Sequence, residues 1–362
     1  MIIKTVKFSK KISLMTFVIF SIAIILGFYF FSVKSSEINF FINWNRISKK
    51  KENTENLEKT EEGYIKWVDF SISYEALNLT SKLDIESHDS DTEINYNWIE
   101  LLAYLACKNG GNFNNFKKAD LDKLTAKIEK EGTMENLTKD LKNYDYYYES
   151  YNAVLGNFIG NYSIETEDSN GNVQFIDKYG IKAFLPIARN YGFSHYKDFG
   201  ASRAYGFKRH HLGNDLMGST GTPIVAVESG IVEHLGWNQY GGWRIGIRSF
   251  DGKRYYYYAH LRKDHPYAQN IYEGAQITAG DVIGYLGMTG YSTKENINNI
   301  NVPHLHFGMQ LIFDDSQVDG NNEIWIDVYN IIEFLRKNTS AVFMNNQTTK
   351  DYSRKYNFKE LD

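Results

Sequence analysis

The apolar residues of this chain fall into three regimes. From Ile12 to Val33 no residue is charged, and Ile, Leu, Phe, Val and Ala dominate. A helix needs about 20 such residues to cross roughly 30 Å of hydrocarbon. Lys4, Lys7, Lys10 and Lys11 precede the run and form a basic cytoplasmic flank, with Lys34 and Arg46 on the other side. No small-x-small cleavage pattern follows Phe31, so the pattern predicts an uncleaved single-pass anchor over residues 12–33, after a flank of residues 1–11. Residues 34–63, with Lys49 to Lys51 and then a Glu-rich stretch, read as a charged linker.

Helical spacing governs the second regime. Trp98–Lys108 is a compact apolar run, Leu121, Leu124 and Ile128 recur at helical intervals, and Thr133 stands where it can cap a helix carrying Leu137 and Leu141. Tyr144–Leu155, closed by Gly156, predicts one more helix. Residues 64–160 are therefore expected to form a small α-helical domain. Its tyrosines (Tyr144, Tyr146, Tyr147, Tyr148 and Tyr151) sit at core spacing, and no paired carboxylates suggest glycosidase chemistry.

Past Gly160 the period shortens. After a connecting segment over 161–204, six runs read as strands: Pro223–Val227, Gly230–His234, Arg244–Ser249, Arg254–His260, Asp281–Tyr285 and His304–Ile312. Asp251-Gly252 between two of them signals a hairpin. Glu228 and Glu233 read as outward strand residues. Asp327 can cap a closing helix through Ile331, Ile332 and Leu335, and residues 338–362 read as a poorly ordered polar tail. The expected class is α+β: a membrane helix, a helical domain, then an antiparallel sheet domain over 205–337.

A net charge of −4 argues against a nucleic-acid binder. The single cysteine, Cys107, excludes an internal disulfide and reads as a buried packing residue. Seven of the nine histidines fall in the β-rich region. In a strand His304 and His306 share one face, with Leu305 and Phe307 on the other. A turn at Gly213-Asn214 would bring His211 and Asp215 together. Two imidazoles and a carboxylate (His211, Asp215 and His306) make an open tetrahedral zinc site, the fourth position being left to water. His88, His195, His234 and His265 read as ordinary surface or satisfied core residues, and His210 is worse spaced from Asp215 than His211.

Residues 205 to 313 resemble the lysostaphin/LytM-type family of zinc peptidoglycan endopeptidases. The family's His-x-Gly-x-Asp motif appears as His211 to Asp215, followed by Gly221 to Ala226 and Glu228 to Val232. Its Tyr-x-His-Leu element is Tyr258 to Leu261, its Gly-rich approach Ala279 to Gly284 and Gly287 to Ser292, and its closing Pro-His-Leu-His-Phe motif Pro303 to Phe307. The resemblance implies Zn2+ on His211, Asp215 and His306, with His304 and His260 acting on the water and the transition state. It also implies an antiparallel sheet enzyme acting on peptidoglycan peptides outside the membrane. Two departures stand out. An Asn-rich insertion, Lys294 to Val302, would border the substrate groove, and Gly308 replaces a commonly acidic residue. The competing reading is a non-catalytic scaffold binding the wall or a protein, and the helical domain is a possible docking point for a protein regulator.

Overall fold

The computed structural model describes residues 64–361 except 90–93, 132, 206 and 321. The expected anchor over 12–33 and the linker over 34–63 lie outside the described residues. Among the described residues no helix is long and apolar enough to cross a membrane.

All but the first of the N-terminal helices fall where the apolar spacing placed them. These helices are α1 (Tyr74–Asp89), α2 (Trp98–Asn109), α3 (Lys118–Glu131), α4 (Met134–Thr138) and α5 (Tyr144–Leu155). Asn97 caps α2 by accepting hydrogen bonds from the Ile99 and Glu100 amides, and Gly110 ends it at φ 62°. Thr133 caps α4 as expected. Tyr151 is fully buried, while Tyr144, Tyr147 and Tyr148 pack half-buried against the core. Cys107, expected to be buried, is half-buried.

The strands are β1 (Ile159–Glu167), β2 (Val173–Ile181), β3 (Ser194–His195), β4 (Ser202–Tyr205), β5 (Phe207–His210), β6 (Asn214–Met217), β7 (Pro223–Val225), β8 (Gly230–Asn238), β9 (Gly242–Ser249), β10 (Arg254–Ala259), β11 (Gln276–Ile277), β12 (Val282–Tyr285), β13 (His304–Leu311), β14 (Ile324–Trp325), β15 (Val342–Asn346), β16 (Asp351–Arg354) and β17 (Phe358–Glu360). The main sheet runs β11-β8-β9-β10-β13-β6-β3, with β14 also on β13, and its pairings are antiparallel. Tyr256, Tyr258, Leu305, Phe307 and Met309 turn to its core face and are fully buried. The alternate residues of β10 and β13 are thereby turned toward the groove.

Several expectations change. Residues 64–362 pack as one compact unit rather than as separate helical and β domains. One apolar cluster joins the two parts, for instance through Trp98 stacked on Phe334 at 5.6 Å. Glu228 does not face outward: it is 2% exposed and pairs with the fully buried Arg254 at 2.7 and 2.9 Å. That guanidinium also donates to Ala153 O at 2.7 Å, satisfying a carbonyl of the last turn of α5. The segment 161–204 contributes a long hairpin, β1 with β2. The closing helix α6 (Tyr329–Leu335) forms, although Asp327 reaches the Tyr329 amide from one residue before the cap, at 2.9 Å. The supposed tail over 338–362 is structured. β15 and β16 form a hairpin, β17 pairs with β1, and Phe358 packs on Phe184 at 5.2 Å. Asp351 is buried among Tyr285, His265 and Thr349.

Candidate metal centre

Strand register builds the site. Asp215 on β6 lies directly opposite His306 on β13, and cross-strand partners share a face. His211 enters from the turn before β6. Its Nε2 lies 2.8 Å from His306 Nδ1 and 3.0 Å from Asp215 Oδ1, and His306 Nδ1 lies 3.2 Å from the same oxygen. Among the described residues these three form the one grouping whose donor atoms lie close enough to share a metal ion. Tetrahedral zinc with bonds of about 2.0–2.1 Å sets its ligand atoms roughly 3.3 Å apart, so the donors present fit that ion. Gly213 is required here, because a Cβ would stand 2.6 Å from Phe307 O and 2.9 Å from His306 Nε2.

The protonation states suit a metal. Burial works to raise the Asp215 carboxyl, but hydrogen bonds from His211 and His306 and the charges of His306 and His304 hold it far below the usual range. Burial also pushes His306 below the ordinary imidazole value, against the pull of Asp215. Cation ligation needs an ionised carboxylate and neutral imidazoles. Two residues that no sequence pattern singles out support His211 and Asp215 from behind. Asp198 lies against His211 Nδ1, through its backbone O at 3.1 Å and its Oδ2 at 3.2 Å. Arg203 donates to Asp198 Oδ2 at 2.8 Å and to Asp215 Oδ2 at 3.1 Å. No motif spacing marks either one.

The other two predicted histidines stand beside the ligands. His304 and His260 rings lie 4.8 Å apart, and His304 Nε2 is 3.6 Å from Asp215 Oδ1. His260 reaches this face by a backbone exception. Its neighbour Ala259 pairs with His306, so a continued strand would send His260 to the core side. A φ of 63° ends the strand and redirects it, a costly conformation for a non-glycine residue. His304 Nδ1 meets Val302 O at 2.8 Å and His260 Nδ1 meets Thr289 O at 2.9 Å. A carbonyl only accepts, so each Nδ1 carries a proton, and in the neutral ring Nε2 is the acceptor. Burial holds His260 well below the usual imidazole range.

Of the remaining histidines, His88, His195 and His265 are held within the fold, as expected, whereas His210 and His234 line one of the clefts beside the site. His195 meets Glu333 at 2.6 Å, His265 meets Asp351 at 2.6 Å, His88 stacks on Tyr179 and His210 meets Gly200 O. Two clefts share His211, His260 and His306. One, of about 770 Å³, extends past Arg209, Arg244 and Tyr257. The other, of about 380 Å³, is lined by Arg203, His304 and Asn299. Asn299 brings the Asn-rich insertion to the site, as expected. Gly308 lacks room for a side chain, since a Cβ would stand 2.7 Å from Leu212 O.

The antiparallel sheet thus presents a His-Asp-His centre able to hold a metal ion, with two further histidines beside it. Residues 209–320 match the profile of Peptidase family M23. Over 131 residues the chain is 40% identical to the L-Ala--D-Glu endopeptidase of Bacillus subtilis (strain 168), covering 36% of this chain and 38% of that protein. It is 40% identical over 98 residues to lysostaphin of Staphylococcus simulans, covering 27% of this chain and 17% of lysostaphin. The chain thus spans well under half the length of these relatives. The solved catalytic domain of lysostaphin from Staphylococcus simulans aligns at 31% identity with a TM-score of 0.30, over 39% of this chain and 92% of that one.

Proposed function

We propose that the chain is a zinc endopeptidase that hydrolyses peptide stems or cross-bridges of bacterial peptidoglycan, held outside a membrane by the apolar segment 12–33. The carrying observation is the convergence of His211, Asp215 and His306 within 3.2 Å of one another, beside two imidazoles whose Nδ1 atoms each meet a carbonyl. When bound, zinc would polarise the scissile carbonyl and acidify a water. The chain's own residues then have distinct tasks. Asp198 and Arg203 keep His211 and Asp215 in their ligating poses. His304 and His260, each with its Nδ1 proton committed to a carbonyl, offer Nε2 to take a proton from the attacking water and return it to the leaving amine. Anchoring rests on the uncharged run and its basic flank.

The test uses the full chain with defined peptidoglycan fragments, zinc stoichiometry and detection of new amine termini. His306→Ala should lose both metal and cleavage, whereas His304→Ala should lose cleavage and keep most of its zinc. Cleavage by the His306→Ala protein would refute the site assignment. One zinc per chain with no new amine termini would favour the scaffold reading.

A further inference from the structure

Four arginines border the two clefts, and they divide by partner. Arg203 is neutralised by Asp198 and Asp215, and Arg248 holds Glu233 in a two-pronged pair at 2.6 and 2.9 Å. Arg209 and Arg244 have no carboxylate partner among the described residues. Arg209, on β5, is fixed instead by aromatic groups: Nη2 donates to Tyr291 Oη at 2.7 Å, and its guanidinium lies 4.9 Å from the Tyr240 ring and 5.1 Å from the Tyr291 ring. Arg244, on β9, lines the same cleft, with its Nε buried and unpartnered. Both line the cleft together with Tyr257, whose ring stands edge-on to His306 with centroids 5.8 Å apart. The two guanidinium groups without a carboxylate partner thus share one cleft with a tyrosine that stands against His306.

A half-buried guanidinium with a buried, unpaired N–H is costly to leave without an acceptor. The planar fork matches a carboxylate better than any neutral group. The cleft's acidic members do not fill that role. Asp319 is exposed, and Glu323 accepts from Trp325 Nε1 at 2.6 Å and from the Gly320 amide at 3.2 Å.

We infer that Arg209 and Arg244 form a carboxylate-binding subsite, so that the enzyme selects acidic stem peptides, with a free carboxylate near the cleaved bond, over neutral glycine bridges. This inference rests on the endopeptidase reading and gives it a substrate class.

The test uses zinc-loaded full chain and two stem tetrapeptides that differ only at the glutamate α-carboxylate, free in one and converted to the carboxamide in the other, with pentaglycine as the neutral bridge. Wild type should favour the acid over the amide by about 10–100-fold in kcat/KM, the worth of a charge-assisted hydrogen-bond pair. Pentaglycine should be the poorest substrate. Arg244→Gln and Arg209→Gln should each shrink the acid-to-amide ratio to within a few-fold. Arg209 stands at the cleft rim, so its variant serves if Arg244→Gln misfolds. Calorimetric binding of both tetrapeptides to the cleavage-deficient His304→Ala protein separates the two readings. Acid-selective binding with no cleavage of any peptide by wild type would leave the subsite standing and defeat the endopeptidase reading. Equal acid and amide binding, or a ratio unmoved by both arginine substitutions, would overturn the subsite.

Discussion

Replacing Gly213 by alanine isolates the steric logic of the metal centre. Its new Cβ would lie 2.6 Å from Phe307 O and 2.9 Å from His306 Nε2, whereas ordinary contact begins near 3.4 Å. The carbonyl contact must open by about 0.8 Å (3.4 − 2.6) and the imidazole contact by about 0.5 Å (3.4 − 2.9). Phe307 cannot yield easily, because β13 is paired there on both sides, to Asn214 of β6 and Tyr258 of β10. The strain therefore falls on the His306 ring and on the turn carrying His211. Metal sites tolerate ligand shifts of roughly 0.2 Å, and disturbing the orientation of a ligand costs about 10–100-fold in affinity. Gly213→Ala should accordingly weaken zinc binding about 10–100-fold, or about 1.4–2.7 kcal/mol, in a titration against a competing chromophoric chelator. Gly192→Ala is the control, since that glycine is exposed and a Cβ there meets nothing within 4 Å. If Gly213→Ala held zinc within twofold of the control, the crowding argument would fail.

Two further outcomes concern stability. Arg254→Met should cost about 3–5 kcal/mol in urea unfolding, because it strands the buried Glu228 carboxylate with little beyond the Tyr256 hydroxyl at 2.5 Å. Adding Glu228→Gln should restore part of that loss, and a single-variant cost below about 1 kcal/mol would contradict the argument. Asp351 is also informative: burial works to raise its carboxyl, but hydrogen bonds from Thr349, His265 and Tyr285 and the charge of His265 hold it below its ordinary 3.8. A folded-state value below the unfolded one means that the contribution is present above about pH 3.8 and fades as pH falls through the lower folded value. The stability gap between wild type and Asp351→Asn should therefore close on acidification below about pH 4, and a gap constant from pH 6 to 2.5 would refute the assignment.

What could be read in the sequence was whatever repeats with a period. Alternation alone set His304 and His306 on one face, and five helices and the main strands appeared within a few residues of their expected bounds. What escaped had a different physical origin. Asp198 and Arg203 act through a few hydrogen bonds and ion pairs to His211, Asp215 and one another, with no spacing to betray them. The C-terminal strands are polar by composition and are held by a few anchors, Phe358 in an apolar pocket and Asp351 in a polar one. The shared core of helices and sheet was hidden because an amphipathic helix shows that it has an inner face, not what that face meets. Glu228 looked like an outward strand carboxylate because its partner, Arg254, comes from a different strand.

The site itself divides along the same line. Asp215 and His306 can share a metal ion because regular antiparallel pairing places opposite residues on one face, so their meeting is as secure as the register of β6 on β13. His260 stands beside them because the pairing stops: a residue earlier Ala259 is still in register, and one left-handed residue turns the imidazole out of the core. The backbone around it absorbs that turn, with the His260 amide donating to Gly241 O at 2.7 Å and its ring held by Thr289 O. Gly290, at φ 123°, leaves the space, since a Cβ there would stand 3.0 Å from His260 Nδ1. The proposed metal ligation thus draws on regular sheet pairing, and the proposed proton transfer on an edge where a left-handed residue ends that pairing, which is where local strain is expected to be retained for function.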